Sequence, residues 1–244
     1  MATIPNSEQV TPPARTDVWR MFDRIAHRYD LLNRLLSMRQ DVAWRKRLAT
    51  LLPERDELRV LDLATGTGDV LLTLRAASPR VRSGVGMDMS GKMLYIGKDK
   101  FEDSGQASAL QMVRGDAMRI AAAKETFDVV TISFGIRNVL DVDAALREMH
   151  RVLKPGGRIL ILEFSLPKNA LLRSAYLLYF RNVLPRIGGL VSGDSYAYRY
   201  LNQTVETFPY GEAFATLMRN ANFANVSMTP LTFGIATIYQ GDKQ

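Results

Sequence analysis

Hydrophobic positions follow two different periods along the chain. Between Asp17 and Leu52, Trp19, Phe22, Ile25, Leu32, Leu35 and Leu36 recur at helical spacing, which predicts two or three helices ahead of any strand. From Leu58 the pattern alternates. LRVLDLA, RSGVGMDM, ALQMVRGDA, TFDVVTISFG and GRILILEF read as strands. GDVLLTLRAAS, SGKMLYIGKDKFED and DVDAALREMHRVL read as the helices between them, with Ser90 and Asp141 as helix-opening residues. Apolar runs without polar alternation belong to strands covered on both faces, as in a parallel sheet between helix layers. After Phe164 the alternation stops. Residues 165–203 form an insertion, followed by a helix over Gly211–Asn220 and two strands near 225–230 and 233–240, close enough in sequence to pair antiparallel. The predicted fold is α/β, a seven-stranded, mostly parallel, doubly wound sheet. Residues 17–52 form a helical cap, and residues 1–16, polar and proline-bearing, a flexible tail before a single 17–244 domain.

Composition narrows the chemistry. Among 244 residues there is no cysteine and only two histidines, His27 and His150, which removes disulfides, thiolate sites and cysteine nucleophiles and disfavours a histidine metal site. Both histidines read as structural. No apolar signal segment opens the chain and no run of eighteen apolar residues occurs, so a cytoplasmic location without a membrane span is expected. A net charge of +7 permits an anionic partner, either nucleic acid or a membrane surface.

The chemistry centres on VLDLATGTGDVLL, Val60–Leu72. A phosphate-binding P-loop needs a lysine after its last glycine, and none follows Gly68. A dinucleotide fingerprint needs a third glycine where Leu71 stands. A loop with Gly66 and Gly68 around Thr67 still lets a ligand approach backbone. Asp62, Asp88 and Asp116 stand at successive strand ends. Three carboxylates repel a pyrophosphate. They suit a ligand with a cationic amino-acid part and a ribose, and Asp88 stands about twenty residues past the loop, where a ribose diol is met in this architecture. S-adenosylmethionine has those parts and no phosphate.

LDLATGTGD, GMDMS, RGDA and RVLKPGG resemble the motif series of class I S-adenosylmethionine-dependent methyltransferases, over residues 58–164. The segments 21–45, 133–167 and 184–209, with SFGIRN and AYRYL, are similar to the C-methyltransferases of menaquinone and ubiquinone biosynthesis. The family usually carries Pro and Ser where this chain has Asn202 and Thr204, and an apolar-Pro-Phe where it has RIAA. The resemblance implies a Rossmann-like fold and methyl transfer from S-adenosylmethionine, without metal, to a ring carbon of a prenylated quinol. That quinol is demethylmenaquinol, with the benzoquinol precursor of ubiquinone, or both rings, as the alternative, and an unrelated lipid or nucleic acid as the next. Gly66, Thr67, Gly68, Asp88, Asp116, Ala117 and Ser133 are expected at the donor, and Arg137, Asn138 and Tyr29, with Asp30 beside it, at the chemistry.

Other methyl transfers fit less well. Amino methylation of DNA goes with Asn/Asp-Pro-Pro-Tyr where SFGI stands, and C5 methylation of pyrimidines needs a cysteine. Catechol methylation needs a carboxylate cluster past the fourth strand. No aromatic-basic stripe for stacking bases is visible, so nucleic acid is not the expected partner. A purely regulatory donor-binding protein remains the non-enzymatic alternative, and a homodimer is compatible with the sequence. The insertion carries Lys168, Arg173, Arg181, Arg186 and Arg199 against Asp194 alone, and its Leu- and Tyr-rich stretch at 171–186 is the expected peripheral contact with the membrane.

Overall fold

The computed structural model describes residues 17–183, 186 and 195–244. The expected 1–16 tail, and residues 184, 185 and 187–194 of the insertion, lie outside them. Two helices, α1 (Val18–Leu36) and α2 (Gln40–Ala49), precede the sheet. Then come β1 (Leu58–Leu63), α3 (Asp69–Ala77), β2 (Val81–Asp88), α4 (Gly91–Asp103), β3 (Leu110–Arg114), β4 (Phe127–Ser133), α5 (Val142–Val152) and β5 (Leu153–Phe164). After these follow α6 (Ala170–Leu178), a π-helical turn (Tyr179–Val183), α7 (Ser195–Thr207), α8 (Glu212–Asn220), β6 (Ala224–Leu231) and β7 (Ala236–Asp242).

The seven strands lie in the order β3-β2-β1-β4-β5-β7-β6. β1 to β5 are parallel, and β7 runs antiparallel between β5 and β6. The winding reverses between β1 and β4. That reversal opens a crevice at the carboxyl ends of the strands, because the connections there leave towards opposite faces. Alternate residues of each central strand serve opposite layers. Leu61, Leu63, Val130 and Ile132 pack with α5 and α8, whereas Val60, Val129 and Leu160 pack with α2 and α3. A third apolar cluster joins α1 to the insertion through Met21, Ile25, Leu32, Phe180, Tyr200 and Val205.

The helix openings follow the sequence. Ser90 Oγ accepts from Met93 N (3.3 Å) and Asp141 Oδ1 from Ala144 N (2.9 Å), each satisfying an otherwise orphaned donor. Two boundaries differ from expectation. β5 starts at Leu153, which pairs with Phe127 before the KPGG turn, and the ladder resumes at Val129–Arg158 past an irregularity. β7 starts at Ala236, because Thr232–Gly234 forms a 3-10 turn with Thr232 and Phe233 at φ 43° and 58°.

Asp62 differs more. It was expected at the crevice, but its side chain is fully buried beneath the loop, outside the cavities described below. Its two oxygens accept the hydroxyls of Thr65 (2.6 Å) and Thr131 (2.6 Å). Burial pushes its carboxyl up to about 7 against those two hydroxyls. A carboxyl raised on folding favours the folded state most when protonated, and that contribution is lost as pH rises through its folded pKa. Asp62→Asn is therefore expected to flatten the decline in urea midpoint between about pH 4 and pH 7. A slope equal to the parent's rules out this role for Asp62.

Candidate functional site

The loop after β1 turns on left-handed backbone at Ala64, Gly66 and Gly68 (φ 47°, 57° and 78°). The carboxylate of Asp88, last residue of β2, accepts Gly66 N–H at Oδ2 (2.9 Å) and Ser90 N–H at Oδ1 (2.8 Å). Burial raises its pKa while these backbone donors oppose the rise. Three backbone donors on a carboxylate leave it acceptor capacity, and the group borders a cavity of about 250 Å³. Gly66, Asp116, Ala117, Ser133 and Asn138 border the same space. Asp116, two residues past β3, also accepts Met118 N (2.9 Å). Ser133 Oγ is buried there and has no hydrogen-bond partner among the described residues.

Thr67 and Gly68 do not border that cavity. A Cβ on Gly68 would stand 2.6 Å from Met112 Cε and from Phe101, so this glycine seats the loop on α4 and β3. Thr67 Oγ1 donates to Asp30 Oδ1 (2.7 Å) and accepts from Lys100 Nζ (3.1 Å). Lys100 also donates to Asp30 Oδ2 (3.0 Å) and to Asp69 Oδ1. Asp69 is further paired with Arg34 (3.1 Å) and Arg45 (3.3 Å). Burial disfavours its charge, but Lys100, Arg45 and Arg34 outweigh burial and hold the carboxyl below its ordinary value. Asp30 thus ties α1 to the loop.

One helical face of α1 closes the first cavity. Asp23 Oδ1 accepts Lys92 N (3.1 Å) and the Ser90 hydroxyl, docking the helix on the start of α4. Val18, Trp19 and Phe22 face the cavity, and Arg114 lies 5.3 Å over the Trp19 ring. Tyr29 meets Phe22 edge-on (centroids 5.9 Å), and its Cε1 would lie 3.6 Å from a Cβ on Gly66. Burial raises the Tyr29 hydroxyl pKa.

Tyr29, Phe22 and Phe134 also border a second cavity of about 180 Å³. The residue before Gly135, Phe134, takes left-handed backbone (φ 56°), and its ring lies 4.4 Å from that of Phe164. A Cβ on Gly135 would meet Ala64 Cβ at 2.4 Å, so the loops after β1 and β4 touch. Arg137 is buried and borders the second cavity. Its Nη1 donates to Glu163 Oε1 (2.7 Å) and to Phe134 O (2.6 Å). Its guanidinium lies 5.3 Å over Phe164, and its Nε has no hydrogen-bond partner among the described residues. Asn138, one residue on, borders the first cavity and accepts the Tyr200 hydroxyl at Oδ1 (3.2 Å). That bond fixes the amide, so Asn138 has N–H to offer.

Arg137 and Asn138 therefore border adjoining spaces, with Phe22, Tyr29 and Phe134 as the common wall. Sequence reasoning missed Glu163, Tyr200, Trp19 and Phe22. A signal existed for Glu163, the lone acid in the apolar run RILILEF, since a buried carboxylate needs a partner. His150, as expected, is structural, packed edge-on against Phe223 (centroids 5.1 Å).

Residues 10–243 match the model of the ubiE/COQ5 methyltransferase family. The ubiquinone/menaquinone biosynthesis C-methyltransferase UbiE of Geotalea daltonii is 46% identical over 226 residues, 93% of this chain and 96% of that protein. The demethylmenaquinone methyltransferase of Thermus thermophilus is 46% identical over 223 residues, 91% of this chain and all of that protein. In fold, the chain is similar to a SAM-dependent methyltransferase of Thermotoga maritima, described as a possible histamine N-methyltransferase. The TM-score is 0.66 at 20% identity, covering 93% of this chain and 99% of the other. With the family model matching nearly the whole sequence and relatives this close spanning over nine-tenths of it, the chain belongs to the ubiE/COQ5 methyltransferase family.

Proposed function

We propose that this methyltransferase moves a methyl group from S-adenosylmethionine to a ring carbon of demethylmenaquinol. The observation that carries the reading is the pair of cavities sharing a wall at Tyr29 and Phe134. The first fits the donor. Asp88 retains acceptor capacity for a ribose diol, Ser133 Oγ awaits a partner, and Asp116 adds negative charge beside a cationic ligand. When bound, the donor supplies an electrophilic sulfonium methyl. Nine aromatic residues border the second cavity, which suits a flat naphthoquinol ring, and Arg137 is among its polar groups.

Ring attack would form a carbon–carbon bond as the carbon–sulfur bond breaks, its electron pair leaving with the neutral thioether, and the ring would then lose the proton from the attacked carbon to solvent. Reactivity rises as a ring hydroxyl gives up its proton. Arginine stays protonated and is no ordinary base, but a fixed cation stabilises the developing phenolate. Glu163 holds that cation in place and offsets its charge before substrate arrives. Asn138 N–H is a second donor for a substrate oxygen. Holding carbon, methyl and sulfur in line and excluding water accounts for the rest of the rate.

A prenylated acceptor resides in the bilayer. Among the described residues no helix is long and apolar enough to cross a membrane, so the reading requires peripheral contact. The test is an anaerobic assay with methyl-labelled donor and short-tailed demethylnaphthoquinol, run beside a demethylated benzoquinol and an oligonucleotide. Label in the naphthoquinol ring is expected, and label in the benzoquinol alone assigns the chain to the other ring class.

Asp88→Ala removes acceptors for the ribose hydroxyls, each charge-assisted bond being worth roughly 1.5–3 kcal/mol. Donor affinity measured by calorimetry is expected to fall at least tenfold, and an unchanged value removes Asp88 from the donor site. Arg137→Ala is expected to lower kcat by roughly 10²–10³-fold, as loss of an oxyanion donor does, with donor affinity held. Because that change strands Glu163, Arg137→Ala/Glu163→Gln should regain thermal stability without regaining rate. Recovery of both makes the pair structural only.

A further inference from the structure

The second cavity reaches the surface between two strained turns, and the residues there have no use in the chemistry above. The first turn follows α1, where Met38 and Arg39 take left-handed backbone (φ 50° and 63°). Met38 borders the cavity and is 73% exposed. Leu35 and Leu31, three and seven residues back on α1, are exposed too. The second turn is Thr232–Gly234, with Phe233 in the left-handed region and 80% exposed. The turns meet at Thr232, whose Oγ1 accepts from Trp44 Nε1 (2.8 Å) and donates to Gln40 Oε1 (3.2 Å). A left-handed β-branched threonine followed by a left-handed phenylalanine is costly, and such strain persists where surrounding structure enforces it.

The second turn backs onto the end of β5, since Ser165 Oγ donates to Gly234 O (2.7 Å). The chain then presents exposed Lys168 and, in the first turn of α6, Leu171 at 79% exposure. This rim is cationic. Segments 31–40, 165–183 and 229–240 contain no Asp or Glu, and Arg39 and Lys168 stand exposed on it. The basic stretch singled out from sequence is weaker than its composition suggests. Arg181 is paired with Glu206, and Arg173 Nε donates to Pro167 O (2.9 Å).

We infer that the rim formed by the Met38–Arg39 turn, Phe233 and the start of α6 is a docking surface for an anionic lipid bilayer, which opens the second cavity directly onto the acyl layer. It rests on the quinol reading, since an apolar cavity opening at an apolar, basic rim serves an acceptor that stays lipid-anchored. Side chains such as Phe and Leu supply insertion, and the two cations supply attraction to headgroups.

The test is co-sedimentation of the full chain with phosphatidylglycerol and with phosphatidylcholine vesicles. Phe233→Asn/Leu171→Gln should weaken binding to phosphatidylglycerol vesicles at least tenfold. Asparagine tolerates left-handed backbone, so the melting temperature should hold. Turnover of a short-tailed quinol in solution should hold as well, because neither residue borders either of the two cavities described. Arg39→Gln/Lys168→Gln should weaken binding roughly fivefold per charge on phosphatidylglycerol and leave phosphatidylcholine binding unchanged. Parent protein that ignores phosphatidylglycerol vesicles, or variants that bind them as the parent does, overturn the surface. So does a loss produced by Arg181→Gln/Arg186→Gln in their stead. Vesicle binding lost in the variants while the parent methylates none of the quinols retains the surface and refutes the quinol reading.

Discussion

Both cavities depend on the ion cluster that fastens α1 over the carboxyl edge of the sheet. Lys100 is held by Asp30 and Asp69, with Thr67 between them, and Arg34 and Arg45 complete the charge balance. Partly buried charges are costly to desolvate, and breaking a buried pair by removing one member typically costs about 3–5 kcal/mol. The cluster therefore does more to specify where α1 sits than to add stability. With α1 seated, Trp19 and Phe22 roof the first space and Tyr29 divides it from the second.

The sheet was legible because strands buried on both faces leave uninterrupted apolar runs, and Val60, Leu61 and Leu63 are such a run split between two layers. The reversal of winding between β1 and β4 then placed the glycine loop and SFGIRN at one edge. Asp88 was legible for the same reason, being the last residue of a parallel strand. Side-chain direction within the loop was not. Thr67 lies between left-handed Gly66 and left-handed Gly68, and those dihedrals turn Thr67 towards α1 and seat Gly68 on α4, away from the first cavity. Spacing reports that a loop is present but says nothing of which way each residue on it points.

Long-range pairing escaped the sequence as well. Arg137 and Glu163 are 26 positions apart, and only strand adjacency of β4 and β5 brings them together. Arg181 counted as free positive charge in the insertion until Glu206, outside the stretch counted, proved to be its partner. Charge tallies by segment misjudge a surface whenever the fold folds a neighbouring segment back across it.

Gly135 and Ala64 meet so closely that no side chain fits between the loops after β1 and β4. Under the function proposed above, the spacing between the donor and acceptor spaces is thus set by Gly135 against the Ala64 methyl, while Phe164, Tyr176 and Trp44 border the second cavity and not the first. On that reading, a substitution among those three aromatics alters the size of ring admitted without lengthening the path that the methyl must travel. Reach and choice of ring then rest on different residues.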